Sequence, residues 1–345
     1  MPLDVPSFDD LPPVEGMPQG CAWGIFDKNG QKDVYGTLNL LTPDVVIAAA
    51  REVTEGVSVS LNWPISAIAK PAAGRCPLHH KVMAFTPEKH GFVGLDDEVQ
   101  YNTQSSSQWD SLSHYAHQPT GLGYNGTSTA LDVAEAVRDG KAGAQVLPTL
   151  EHWHNRGGLV GRGVLIDYVR YAKRHNIDYS PFSGHAITVE AIEEAAREQN
   201  NLEFKSGDIL IVRCGFTEGM EKLDADRQAA VFKGRKYCGV EGTEESVKWF
   251  WNKHFSAAAG DSVSFEVAPP QVDDGKGGKR DGRIDEYVLH PYLLSLFGMP
   301  IGELWDLKAL AEQCEKSNKW SFMLTSAPLN VPGTIGSPPN VLAVF

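Results

Sequence analysis

The sequence predicts a single α/β domain. Strand-like and helix-like runs alternate along its whole length, and their irregular spacing and several long loops argue against a regular series of βαβ units. No shift in composition marks a boundary between two domains. At 345 residues the chain can bury a substantial core, and hydrophobic and charged fractions of 42% and 22% place it among globular proteins. The expected organisation is an extended, Pro- and Asp-rich arm over residues 1–20 and one domain over 21–345.

Taken in order, Thr42-Pro43 reads as an N-cap and first helical residue, opening a helix through Val45, Val46, Ala49 and Val53 to a stop at Gly56. Residues 57–61 alternate as a strand. Residues 76–85 read as a turn entering a strand. Adjacent His79 and His80 would point to opposite faces there, so at most one could face a site. Asp96-Asp97-Glu98 reads as a solvated loop. Gly121–Gly126 spells G-x-G-x-x-G but follows no buried strand, so it is a loop at the mouth of a site rather than a dinucleotide cradle. Ser128 is the expected cap of the next helix, ending at Gly140. Residues 161–168 form a buried-type strand, 187–199 a helix capped by Thr188, and 209–214 a second buried strand. His185, just before the cap, is either a pocket residue or a structural hydrogen-bonder, and Arg213 either clamps a substrate carboxylate or pairs with a core-edge acid. A helix runs to Phe255 and a strand is expected over 262–266. Residues 271–286 are an exposed insertion that fails the calcium-loop pattern. A helix over 304–317 and strands at 322–324 and 341–344 close the chain.

The formal charge of -13, from 44 acidic and 31 basic residues, repels phosphate backbones and anionic membrane surfaces, so neither nucleic acid nor membrane is an expected partner. Five scattered cysteines without C-x-x-C spacing read as reduced thiols, and the start of the chain lacks the basic and apolar regions of a signal peptide. A cytoplasmic protein with a small-molecule substrate is expected.

Chemistry concentrates in residues 103–117, which hold two amides, an indole, a carboxylate and two imidazoles with few apolar anchors. That polarity argues against a core strand. On a helix, Asp110 and His114 would share a face, with His117 a further turn on. Far along the chain, His290 and Glu303 flank an apolar helix-like run, and Asp110, His290 and Glu303 would make a three-ligand set of the kind catalytic metals use.

These residues carry a resemblance. The chain resembles the cyclase family that includes arylformamidase (kynurenine formamidase) and isatin hydrolase, from about Trp23 to Phe345. The family signature reads H-x-G-T-H-x-D-x-P-x-H, followed much later by a His and a Glu about a dozen residues apart. Placing the motif Asp on Asp110 puts its last His on His114, while His290 and Glu303 fit the late pair with one extra residue between them. The first two motif histidines fall on Gln104 and Gln108, the Gly on Ser106, the Thr on Ser107 and the Pro on Leu112. Amide oxygens are weak ligands where imidazoles are strong. The resemblance therefore implies one divalent metal per subunit, manganese or zinc, held by Asp110, His290 and Glu303.

It further implies a layered β-sandwich-like core with flanking helices, a homodimer or homotetramer, and hydrolysis of a cyclic or aryl amide, lactam or lactone, or the reverse cyclisation. His114 would carry the proton and Gln104 and Gln108 would donate to the developing oxyanion. Trp23, Asn39, Trp109, His117 and Arg213 are the candidate substrate-binding residues, although Trp109 and Trp23 suit buried packing equally. Two other readings use the same pocket: a metal-independent isomerase, cyclase or dehydratase with His114 as base, and a non-catalytic small-molecule binder.

Overall fold

A computed structural model describes residues 3–141 and 146–345. Its centre is a nine-stranded sheet. In chain order the strands are β1 (Ser58–Ser60), β2 (Gln108–Asp110), β3 (Leu159–Asp167), β4 (Ile209–Arg213), β5 (Ala257–Gly260), β6 (Ile301–Glu303), β7 (Ser321–Ser326), β8 (Gly336–Ser337) and β9 (Val341–Val344). Across the sheet they run β1-β9-β7-β3-β4-β5-β6-β2-β8. The middle pairs β3–β4, β4–β5 and β5–β6 are parallel, and the flanking pairs are antiparallel. This is the mixed α/β single domain that the residue pattern predicts.

Parallel strands need cover on both faces, and the side chains of β4 alternate accordingly. Leu210 and Val212 join one buried cluster, Ile209 and Ile211 the other. The helices α1 (Pro43–Ala50), α2 (Val189–Glu198), α3 (Glu244–Asn252) and α4 (Lys308–Ser317) flank the sheet. The Thr42 and Thr188 hydroxyls cap α1 and α2 as the sequence suggests. The next-neighbour alternation in β2 decides the site. Trp109 packs into one cluster, between Trp153 and Trp305, so Gln108 and Asp110 face the other side. Gly302 on the adjacent β6 makes room for this arrangement, because a Cβ there would meet the Trp305 ring at 2.7 Å and Ala259 at 2.8 Å.

Several local expectations are corrected. Residues 103–117 contain no helix: residues 108–110 are a buried strand and His114 lies in the turn that follows. Many of its polar side chains find partners elsewhere in the fold, Gln108 on Glu303, Trp109 on Ser326 and Ser106 and Ser107 on the Trp63–Pro64 backbone, which is why a run without apolar anchors can still enter the core. Asp96-Asp97-Glu98 lies on a strand, Gly94–Gln100, paired with His79–Phe85 in an exposed hairpin, where His80 meets Asp97 at 2.8 Å. No strand forms over 262–266. The strand there is β5, and Phe265 takes a left-handed φ of 52°. The helix after Ser128 begins at Leu131 with Ala130 in the cap position. The insertion forms a small hairpin, Gln271–Asp273 with Lys279–Asp281. Phe8 of the N-terminal arm is buried against Phe297, and the Trp251 indole donates to the Pro6 carbonyl at 2.9 Å. The arm thus covers the helix that follows His290.

Candidate metal centre

Antiparallel pairing of β2 with β6 sets Asp110 opposite Ile301 and Gln108 opposite Glu303. Residues directly opposite one another share a face of the sheet, so Asp110 and Glu303 project together. His290 immediately precedes a wide helical segment, Pro291–Phe297, that ends at Gly298 and leads directly into β6. Its imidazole comes to the same place. Each of Asp110, His290 and Glu303 offers one ligand atom, and these atoms all lie within 4.8 Å of one another. Asp110 is fully buried, and His290 and Glu303 are each 5% exposed.

His290 is held by a residue that sequence reasoning missed. Fully buried Glu266 accepts from the backbone N–H groups of Val288 and Leu289, each at 3.1 Å, and from that of His290 at 2.8 Å. Its Oε1 also contacts His290 Nδ1 at 2.7 Å, leaving Nε2 directed to Glu303 Oε1 at 3.3 Å. A carboxylate that fixes one ring nitrogen orients the other toward a ligand position. The available signal was a lone Glu between Phe265 and Val267-Ala268, where a charge must find buried partners. Burial presses the His290 pKa down, but the hydrogen bonds and charges of Glu266 and Glu303 outweigh it and bring it to about 10. Burial and the Asp110 charge push the Glu303 carboxyl above the ordinary range, while His290 pulls it back. Two carboxylates converging on one imidazole form a cation-seeking set.

The two glutamines donate to the candidate ligands. Gln108 Nε2 donates to Glu303 Oε2 at 2.7 Å. Gln104 Nε2 donates to Asp110 Oδ1 at 2.6 Å and stands 3.0 Å from His114 Nδ1. A second missed residue, Arg75, sets that orientation. Its Nη2 donates to Gln104 Oε1 at 2.9 Å and its Nη1 to the Gln104 carbonyl at 3.0 Å, so the Gln104 NH2 must face Asp110. Nothing in the glycine-containing turn around Arg75 signalled this. Among the described residues, the buried acceptors Asp110 Oδ2 and Gln108 Oε1 meet no donor. Orphaned acceptors beside a His and two carboxylates fit a divalent cation, which needs lone pairs and no protons. Burial, ahead of the opposing Asp110 charge, lowers the His114 pKa and keeps its ring neutral.

Other candidates fall outside the centre. Trp109 is fully buried, its indole donating to Ser326 Oγ at 2.9 Å, so no substrate can stack on it. Arg213 is also corrected: its guanidinium is tied to Asp167 at 2.8 Å and to Glu218, which leaves it no role as a substrate clamp. His117 meets Thr120 Oγ1 at 3.0 Å in the turn beyond His114. Trp23 donates to the Ser295 carbonyl at 2.7 Å, and Ser295 in turn bonds the carbonyl of Tyr115, whose ring lies 5.3 Å from that of His290. Asn39 donates to Asp33 at 2.9 Å and lines a cavity of about 660 Å³ with Phe26 and Tyr35, to which the three candidate ligands do not contribute. His185 bonds Tyr168 Oη at 2.7 Å and stacks on Tyr179, a structural role.

Comparison with known proteins agrees with this architecture. No curated protein matches the sequence. The crystal structure of a novel cyclase superposes with a TM-score of 0.76 at 28% identity, covering 94% of this chain and 99% of that one. Isatin hydrolase A from Ralstonia solanacearum gives a TM-score of 0.53 at 15% identity, covering 88% and 97%. An isatin hydrolase bound to the product analogue thioisatinate gives 0.50 at 13%, covering 88% and 99%; these last two show a shared fold. The sequence profile of the Cyclase family, described as "Putative cyclase", matches residues 58–267, a span that includes Gln104, Asp110, His114 and Glu266. The chain belongs to the cyclase family.

Proposed function

We propose that this protein is a metal-dependent hydrolase of a cyclic or aryl amide, lactam or lactone. One observation carries the reading: Asp110, His290 and Glu303 gather their ligand atoms within 4.8 Å, next to acceptors that no donor among the described residues satisfies. Solved isatin hydrolases of the same fold, enzymes of a cyclic amide, support the substrate class. A divalent metal held by this set would polarise a carbonyl and lower the pKa of a bound water.

The remaining chemistry belongs to the chain. Glu266 and Gln108 hold His290 and Glu303 in register, and Gln104 holds Asp110. His114 is the proton carrier. Its neutral ring has one N–H and one lone pair, and it lies beside Asp110 through Gln104, whose Nε2 stands 3.0 and 3.2 Å from the two ring nitrogens. Such a placed imidazole contributes about 10²- to 10⁴-fold. The rings of Tyr115 and Tyr287, at 5.3 and 5.1 Å from that of His290, wall the centre with apolar surface.

The test is metal content and turnover on one preparation. Protein purified without chelator is expected to carry about one metal per chain. It should cleave formanilide or isatin, lose that activity on chelation and regain it with manganese or zinc. Activity that survives complete removal of metal would favour the metal-independent reading. Two tightly held metals per chain would show that Gln104 and Gln108 do not prevent a binuclear site.

A further inference from the structure

We propose that Arg75 is an anion-recognition residue of this site, and that the natural substrate carries a carboxylate near the bond that is cleaved. The inference deepens the hydrolase reading above and rests on it.

Two buried guanidinium groups in this fold are matched by carboxylates, whereas half-buried Arg156, among the described residues, meets only the Gly158 and Leu38 carbonyls. Arg162 pairs with Glu52 and Asp208, and Arg213 with Asp167 and Glu218. Arg75 is half-buried, yet no carboxylate of the described residues forms an ion pair with it. Its protein partners are two neutral oxygens of a single residue, the Gln104 carbonyl and Oε1. Those bonds fix the plane of the guanidinium without cancelling its charge. Two of its five N–H groups are thereby used and three remain for a ligand.

The placement is equally specific. Gln104 donates from the other end of the same amide to Asp110, so Arg75 stands two hydrogen bonds from a candidate metal ligand. A dication bound by Asp110 and Glu303 would be neutralised by them, leaving Arg75 as an unanswered charge at the edge of the centre. A rigid planar fork with free N–H groups matches a carboxylate, which accepts two parallel hydrogen bonds, better than it matches a neutral carbonyl.

The experiment compares benzoate with benzamide, which differ in charge but hardly in shape, as binding probes for the full-length, metal-loaded protein by ligand-observed NMR. Benzoate is expected to bind about tenfold more tightly than benzamide, with the preference shrinking as salt is raised. Arg75→Gln should bind the two equally, and Arg75→Lys, which keeps the charge and loses the fork, should fall between. Equal binding by the unaltered protein, or a benzoate preference that survives in R75Q, would overturn the proposal; the second result would place the anion on the metal instead. If R75Q does not fold, the R75K preference decides: a full tenfold value there refutes recognition by the fork. Hydrolysis of formanilide and N-formylanthranilate is measured alongside. Turnover without benzoate preference sinks the Arg75 inference and leaves the hydrolase standing. An Arg75-dependent preference with no turnover of either amide sinks the hydrolase reading and leaves anion recognition standing.

Discussion

Glu266→Gln is nearly isosteric and should damage both the fold and the metal centre, for a reason that can be counted. The Glu266 carboxylate receives four contacts: Val288 and Leu289 N–H on Oε2, and His290 N–H and Nδ1 on Oε1. Two oxygens accept from all four. In the glutamine one oxygen becomes an NH2 group, and two donors then face a donor in a fully buried position. A stranded buried donor costs about 1–3 kcal/mol, so the variant should lose roughly 2–5 kcal/mol of stability. If the amide oxygen stays with the backbone pair, Nδ1 of His290 loses its acceptor and the ring loses its orientation. Loss of such an outer carboxylate typically weakens metal affinity about 10- to 100-fold. Urea unfolding of chelator-treated protein reads the first effect, and metal titration of folded protein against a competing chelator reads the second. A variant whose midpoint and metal affinity both match the parent would refute the claim that Glu266 builds the site by holding His290.

Three further outcomes follow from the same geometry. His114→Gln should keep its metal and its fold while losing about two orders of magnitude or more in turnover; loss of metal along with activity would make His114 a ligand or a structural group. Trp109→Phe gives up the bond to Ser326 and part of a tightly packed indole between Trp153 and Trp305. It should cost about 2 kcal/mol in urea unfolding and leave benzamide affinity unchanged, whereas a large loss of affinity would restore Trp109 as a stacking platform. The third outcome concerns pH in metal-free protein. Burial disfavours the charged His290 ring, but Glu266 and Glu303 raise its pKa to about 10. The folded value lies above the unfolded value of about 6.5, so this group's contribution to stability is complete below pH 6.5 and is lost as pH rises through 10. The urea midpoint of chelated protein should therefore fall between pH 7 and 10, and metal binding at pH 7 should release a proton, visible by calorimetry in buffers of different ionisation enthalpy. Proton-neutral binding at pH 7 would contradict it.

The sequence by itself determined the fold class and most of the buried strands. Runs such as 161–168 and 209–214 are apolar enough to read as two-sided core strands, and strands form there at 159–167 and 209–213; Thr42 and Thr188 sit where a hydroxyl caps a helix, because these are local properties of spacing and residue type. It also supplied Asp110, His290 and Glu303, although only the family motif tied residues so far apart in the chain together. The tertiary structure decided everything that depended on what faces what. Residues 103–117 looked too polar for a core strand because a sequence does not show that Gln108 will meet Glu303 and Gln104 will meet Asp110 across the sheet. Trp109 and Arg213 were plausible substrate contacts until side-chain alternation buried one and two carboxylates took the other. Glu266 and Arg75 are 24 and 29 residues from the partners they hold, and a hydrogen bond over such a distance leaves no periodicity to read. Only packing brings those groups within reach, and only packing removes the water that would otherwise satisfy them.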